Sequence, residues 1–219
     1  MKDKIIRYFG DASQEYSKVL KERFVTIPEN NRINTDCIYF MEQIHSDHVV
    51  IIDDIATQTT IIPQCDGLIT SKKNSFLAVK TADCYPILIY DDLKGVIAVA
   101  HSGREGTKQK ILEKIIDIMK KHYSCEPENI KVEIGAGICA NHYQVSKQIT
   151  DDFLLSFPDL SINEFLDLKE IIKDTAIKNG IFIKNITTSP ECTFESEKYF
   201  SYRRDKNDKR QISLIGMMI

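Results

Sequence analysis

Two neighbouring runs, "YPILIYD" (85–91) and "GVIAVAH" (95–101), constrain what this chain can fold into more than any other feature. Their length and their content of Ile, Val and Tyr make them β-strands, yet neither alternates polar with apolar residues as a strand with one wet face does. Such strands are covered on both faces. Asp91-Asp92-Leu93-Lys94-Gly95 is the turn that joins them into a hairpin. The segments "CIYFMEQIH" (37–45), "HVVIIDD" (48–54), "SFLAVKT" (75–81), "NIKVEIGAGI" (129–138) and "QISLIGMMI" (211–219) supply further strands.

Helical period takes over after Gly106, where Ile111, Leu112, Ile115, Ile116 and Met119 fall on one face and Lys and Glu on the other. His122 ends that helix, where its charge would favour the C-terminal dipole. "VSKQITDDFLLSF" (145–157) predicts a second helix. A third is expected to open at Ser161, with Glu164 reaching back to complete a capping box, and to close at Asn179-Gly180. Strands and helices mix without a regular βαβ rhythm, and no linker or repeat divides them. The expectation is one layered α/β domain over residues 1–219 with mixed sheets, rather than a Rossmann fold or a barrel. At 42% hydrophobic residues the chain can fill such a core.

A net charge of -3 and a pI near 6.0, with no basic stripe, argue against a nucleic-acid partner. No apolar run approaches the roughly 20 residues of a spanning helix, and "MKDKIIRYFGDASQEY" lacks the apolar core of a signal peptide, so a cytoplasmic protein without a membrane partner is expected. The six cysteines (37, 65, 84, 125, 139, 192) contain no C-x-x-C, which indicates neither a disulfide framework nor a zinc ribbon. Cys65, Cys125, Cys139 and Cys192 read as packing or loop thiols.

Chemistry concentrates elsewhere. His45 follows a strand, Cys84 precedes one and His101 ends one, with Gly103 and Gly106 immediately behind it. Two imidazoles and a thiolate suit Zn(II), and three protein ligands leave a fourth position for water, whose pKa the metal lowers toward neutrality. The separations of 39 and 17 residues match no local metal motif, so a buried thiol beside a hydrogen-bonded histidine accounts for the same residues. Asp83, beside the thiol, either orients an imidazole and moves protons or caps a turn. His48 is expected at the surface.

Six segments in order, "QIHSDHV" (43–49), "CDGLITSK" (65–72), "TADCYPILIYD" (81–91), "AVAHSGREGT" (98–107), "GAGICANHYQV" (135–145) and "CTFESEKYFSYRRDKNDKRQISLI" (192–215), resemble the YfiH-like family, also called laccase-domain or polyphenol oxidoreductase proteins. Its members are mostly described as purine nucleoside phosphorylases. The resemblance implies an α/β/β/α arrangement of mixed sheets, a fold shared with cytotoxic necrotizing factor domains. It implies metal ligands at His45, Cys84 and His101, holding zinc rather than copper. The implied activities are phosphorolysis of adenosine, inosine, guanosine and methylthioadenosine, with deamination of adenosine; purine nucleoside and phosphate are the partners, and the chain is a monomer or weak homo-oligomer. Cys84, His101 and Asp83 would carry the chemistry. By their own chemistry Arg203 and Arg204 of "SYRRD" are either forked donors to phosphate or a solvated basic turn, Arg104 could supply charge at the helix entrance, and His142 falls where it would line the pocket.

Two departures stand out. Where the family has His-Ala-Gly-Trp-Arg-Gly, this chain has His101-Ser102-Gly103-Arg104-Glu105-Gly106. Glu105 would repel phosphate if it faced the site, which predicts weak phosphorolysis. Near the N-terminus, "RYFGDAS" (7–13) keeps only Arg7, one glycine and Ser13 of the family's usual pattern. Three other readings remain open: a cysteine hydrolase or deamidase using Cys84 and His101, a copper-dependent polyphenol oxidase, for which five histidines are few, and a non-catalytic nucleotide-binding domain.

Overall fold

The computed structural model describes residues 4–28, 31–158 and 164–218. The apolar hairpin sits inside a six-stranded mixed sheet, ordered Ile186–Thr188, Lys131–Ile134, Tyr85–Asp91, Val96–Ser102, Gly67–Thr70, Val49–Ile51. A five-stranded mixed sheet, ordered Lys4–Phe9, Gln211–Met218, Ser75–Thr81, Ile38–Met41, Thr60–Ile62, packs against it. The hairpin register runs from Val96 opposite Asp91 to Ser102 opposite Tyr85.

Alternation along the strands explains the apolar runs. Leu88, Tyr90, Ile97 and Val99 meet Tyr39, Met41, Leu77, Val79, Ile215 and Met217 between the sheets. Their neighbours Ile87, Ile89, Ala98 and Ala100 meet the helices Ile111–Tyr123 and Leu168–Lys178 on the far side. On the outer face of the five-stranded sheet, Phe40, Phe76, Ala78, Ile212 and Leu214 are covered by Val19 of the helix Tyr16–Glu22 and by Val25 and Ile33 of the hairpin Phe24–Ile27/Asn31–Asn34. The layers are therefore α/β/β/α, and each sheet buries both faces. Fully burying one Leu or Ile contributes about 1.5–3 kcal/mol, which is why no polar residue interrupts the central hairpin.

Several boundaries differ from the sequence expectation. The strand predicted over 37–45 stops at Met41, and the backbone then turns through His45 at φ 61°. Helix Leu168–Lys178 is capped by Asp167, whose side chain accepts from the Glu170 N–H. The expected Ser161 cap lies outside the described residues. Glu164 precedes the helix; its carbonyl accepts from Val145 N–H and its carboxylate from Gln144, so it closes no capping box. The strands Lys4–Phe9, Phe24–Ile27, Asn31–Asn34, Thr60–Ile62, Gly67–Thr70 and Ile186–Thr188 were not foreseen. Five of them are sheet edges or the outer hairpin, where half-exposed positions dilute the apolar pattern, whereas Gly67–Thr70 is buried inside the six-stranded sheet and is too short, at four residues opening on a glycine, to stand out as a strand. No helix among the described residues is long and apolar enough to cross a membrane.

Candidate functional site

The alternation that places Ile97 and Val99 between the sheets carries His101 to the same face, at the rim of the sandwich. There its ring meets His45 at 4.8 Å between centroids, edge to face. Cys84 completes the group: the nitrogen and sulfur atoms of His45, Cys84 and His101 that could hold a metal lie within 4.8 Å of one another. Two backbone features bring them together. Asp83 is held at φ 90°, turning the chain so that Cys84 enters the group, and Gly103 leaves room for the sulfur, since a Cβ there would lie 2.7 Å from it.

Asp66, which the sequence reading passed over, organises this group from beneath. It is fully buried. Oδ2 accepts from the N–H of Ile44 at 3.2 Å, the N–H of Ser46 at 2.7 Å and the Ser46 hydroxyl at 2.8 Å; Oδ1 accepts from His45 N–H at 3.1 Å and from His101 Nδ1 at 2.7 Å. Burial pushes its pKa up, but the His101 and Ser46 hydrogen bonds prevail and bring it down to about 2. An ionised carboxylate only accepts, so Nδ1 of His101 carries a proton and Nε2 is left for the group. The available signal was Asp66-Gly67 directly before an apolar strand, which reads equally as a turn.

Cys84 is acidic for a cysteine. Burial raises its pKa, but the charge of His101, with hydrogen bonds from His101 and His45, brings it down to about 6. Burial likewise disfavours the charged form of His101, and Cys84 and Asp66 overcome it, raising its pKa to about 9. Thiolate and imidazoles in contact are a donor set that fits a borderline-soft divalent ion, with Asp66 as the outer carboxylate that fixes one ring.

A cavity of about 580 Å³ opens beside the group and is lined by Gln43, His45, Asp83, Cys84, His101, Ile138 and Tyr143 among others. Its remaining wall is cationic: Lys80, Arg203, Lys206 and Arg210 outnumber the carboxylates of Asp83 and Asp208. A groove of about 660 Å³ beside helix Lys147–Ser156 holds Lys147, Asp151 and Glu164 but neither thiol nor imidazole.

The sequence-predicted residues divide. Asp83 lines the cavity, but its carboxylate accepts from Thr193 Oγ1 at 2.8 Å and from Arg203 N–H at 2.6 Å, so it ties its turn to the Thr193 segment and to the first turn of helix Tyr202–Asp205, while Asp66 orients the imidazole. Arg203 lines the cavity, with its guanidinium 5.2 Å from the Tyr143 ring centroid. Arg204 does not. Its guanidinium donates to the carbonyls of Thr193, Phe194, Ser196 and Tyr199 and to Asp205, leaving it a clamp on the loop rather than a phosphate ligand. Arg104 is turned to Glu105, Nε to Oε1 at 2.9 Å, and Lys108 approaches the same carboxylate at 3.4 Å; neither Arg104 nor Glu105 lines the cavity. The expected repulsion of phosphate by Glu105 is thus cancelled locally. Arg7 pairs with Glu133 away from the site. His48 is exposed, its Nδ1 on the Gln64 carbonyl, as expected.

His142 is not among the cavity residues either. It belongs to a separate group with Cys139, Cys192 and Glu195, of which Cys139 directly follows the cavity residue Ile138. Cys65 and Cys125 are packing thiols, with pKa values that burial pushes up to about 12.

Residues 9–218 match a family described as multi-copper polyphenol oxidoreductase laccase. The chain is 37% identical to a purine nucleoside phosphorylase of Campylobacter jejuni, over 80% of this chain and 75% of that protein. It is 33% identical to a purine nucleoside phosphorylase of Clostridium acetobutylicum, over 83% of this chain and 78% of that one. Among solved structures, the YfiH protein of Bacillus licheniformis superposes with a TM-score of 0.76 at 29% identity, covering 84% of this chain and 75% of that one. YlmD of Geobacillus stearothermophilus gives a TM-score of 0.78 at 26% identity, covering 85% and 75%.

Proposed function

Because the chain belongs to the YfiH-like, laccase-domain family, we propose that it is a zinc-dependent purine nucleoside phosphorylase with adenosine deaminase activity, carried by one domain over residues 1–219. The observation that carries this reading is the convergence of His45, Cys84 and His101 on a cavity of about 580 Å³ that Lys80, Arg203, Lys206 and Arg210 also line. The phosphorylase activity of the relatives named above supports the substrate class.

Zinc held by His45, Cys84 and His101 would supply Lewis acidity toward a substrate atom or water. The chain's own residues do the rest. Asp66 holds the His101 ring and the His45 backbone, so the donors are in place before substrate arrives. Tyr143, Ile138 and Tyr202 offer the flat apolar surface a purine needs. Lys80, Arg203, Lys206 and Arg210 attract hydrogen phosphate and hold it against C1′ of the ribose, where a phosphate oxygen bonds to C1′ as the C1′–N9 bond breaks and the leaving purine takes up the proton that hydrogen phosphate gives up. In deamination, water adds at C6 and the amine leaves as ammonia; Asp83, a cavity carboxylate adjacent to Cys84, carries the proton on a lone pair that its hydrogen bonds from Thr193 and Arg203 N–H leave open.

One observation favours a second reading. Cys84, His101 and Asp66 stand in the order of a cysteine nucleophile, its base and the orienting acid. That order leaves His45 without a task, since a nucleophile needs one base, whereas a metal uses both imidazoles. A multicopper oxidase would need several histidine-rich centres, and only two of the chain's five histidines, His45 and His101, share this group.

The deciding experiment measures free base released from adenosine and inosine at varied phosphate, with ammonia release alongside, for wild type and His45→Ala. Phosphate-dependent base release that His45→Ala abolishes is the expected result. Full turnover by metal-free protein, insensitive to His45→Ala but lost in Cys84→Ala, would overturn zinc in favour of the thiol.

A further inference from the structure

We propose that Cys139, His142, Cys192 and Glu195 form a second metal site, a closed tetrahedral Zn(II) site that staples the cavity wall together. Two local pairs of the form C-x-x-H (Cys139-Ala140-Asn141-His142) and C-x-x-E (Cys192-Thr193-Phe194-Glu195) supply the four donors. Each pair has the two-residue gap with which short turns chelate zinc, although no C-x-x-C exists in the chain. The parallel bridge between Gly137 and Cys192 and the Cys139 N–H donating to Cys192 Sγ at 3.2 Å bring the two turns side by side.

The donor spacing matches the ion. Bond lengths of about 2.3 Å to sulfur and about 2.0–2.2 Å to nitrogen and oxygen give tetrahedron edges of about 3.5 Å for S–N, about 3.4 Å for N–O and about 3.6 Å for S–O. His142 Nδ1 lies 3.2 Å from Cys139 Sγ and 3.9 Å from Cys192 Sγ, Glu195 Oε1 lies 3.3 Å from His142 Nδ1 and 3.8 Å from Cys139 Sγ, and all four donors are within 4.8 Å of one another. The imidazole is already oriented, stacked on Phe194 at 4.6 Å between centroids. Cys192 is buried and Glu195 exposed, so an ion has an entry from solvent and a protein ligand at every corner.

A closed site is structural, and its position says what it secures. Ile138, next to Cys139, lines the substrate cavity; Thr193, next to Cys192, holds Asp83; and the His142 carbonyl accepts from Arg203. An ion here would lock these three elements of the wall to one another without touching substrate.

The test separates this site from the one at Cys84. Cys84→Ala protein loaded with zinc and desalted should retain about one zinc ion per chain by elemental analysis, and adding Cys139→Ser and Cys192→Ser should remove it. With Co(II) as probe, Cys84→Ala should keep the near-ultraviolet thiolate charge-transfer band and the strong visible bands of a tetrahedral ion, and Glu195→Ala in that background should weaken cobalt binding at least tenfold without unfolding the protein. Cys84→Ala protein that holds no zinc or cobalt would overturn the proposal. So would a mass measured without reductant that shows Cys139 and Cys192 joined as a disulfide.

Discussion

Replacing Asp66 by Asn tests how the site is held. The carboxylate accepts five hydrogen bonds in a fully buried position, two on Oδ1 and three on Oδ2. An amide keeps one acceptor oxygen and turns two N–H groups toward donors. Either the amides of Ile44 and Ser46 or those of His45 and the His101 ring then face hydrogens. Its folded pKa of about 2, against an ordinary 3.8, corresponds to about 2 kcal/mol of stabilisation, read from Asp66 itself because the rise in His101 is shared with Cys84. A buried donor cluster left unsatisfied adds to that loss, giving about 3–5 kcal/mol in all. The sign with pH follows: a depressed carboxylate stabilises above its unfolded pKa, so wild type should lose this contribution as pH falls from about 4 toward about 2, and Asp66→Asn should lack that dependence. Chemical denaturation of the metal-free proteins measures the stability, and competition with a chromophoric chelator measures zinc affinity, expected to fall about 10–100-fold. Asp66→Asn protein within about 1 kcal/mol of wild type, with unchanged zinc affinity, would refute the assignment.

Gly103→Ala places a methyl 2.7 Å from Cys84 Sγ, so the sulfur must shift by nearly 1 Å to reach ordinary contact; zinc affinity should drop at least tenfold by chelator competition while the fold, read by circular dichroism, is kept. In metal-stripped protein, iodoacetamide labelling of Cys84 should rise with pH through a midpoint near 6, the ionised form being the reactive one, and zinc should suppress it; a midpoint near the free-cysteine value would contradict the imidazole contacts. Arg204→Ala should destabilise by about 2–3 kcal/mol in urea titrations, because four carbonyls lose their donor, and should raise the phosphate KM no more than it raises the nucleoside KM. Glu105→Arg should leave the phosphate KM within about twofold, since Glu105 is already neutralised by Arg104 and Lys108; a large fall would mean the carboxylate acts on the cavity after all.

Much of the architecture was legible because it is written in local chemistry. The unbroken apolar runs at 85–91 and 95–101 required cover on both faces, and the structure covers them with a second sheet and with helices. The helix at 111–123 followed from its period, and His45, Cys84 and His101 were picked out as strand-end residues with metal-binding donors. What each polar side chain meets was not legible, because partners far apart in sequence are chosen by how strands are ordered in the sheets. Asp66 reads as a turn residue until the Gly67–Thr70 strand is laid beside Val96–Ser102 and brings it under His101. Arg203 and Arg204 are adjacent in sequence, yet the short helix Tyr202–Asp205 sends one to the cavity and the other into a cage of carbonyls. Sequence alone determined which segments must be buried and which donors exist, since burial follows from side-chain apolarity and period; only the tertiary structure decided which donors converge, since convergence depends on strand order and register, which neighbouring residues do not encode.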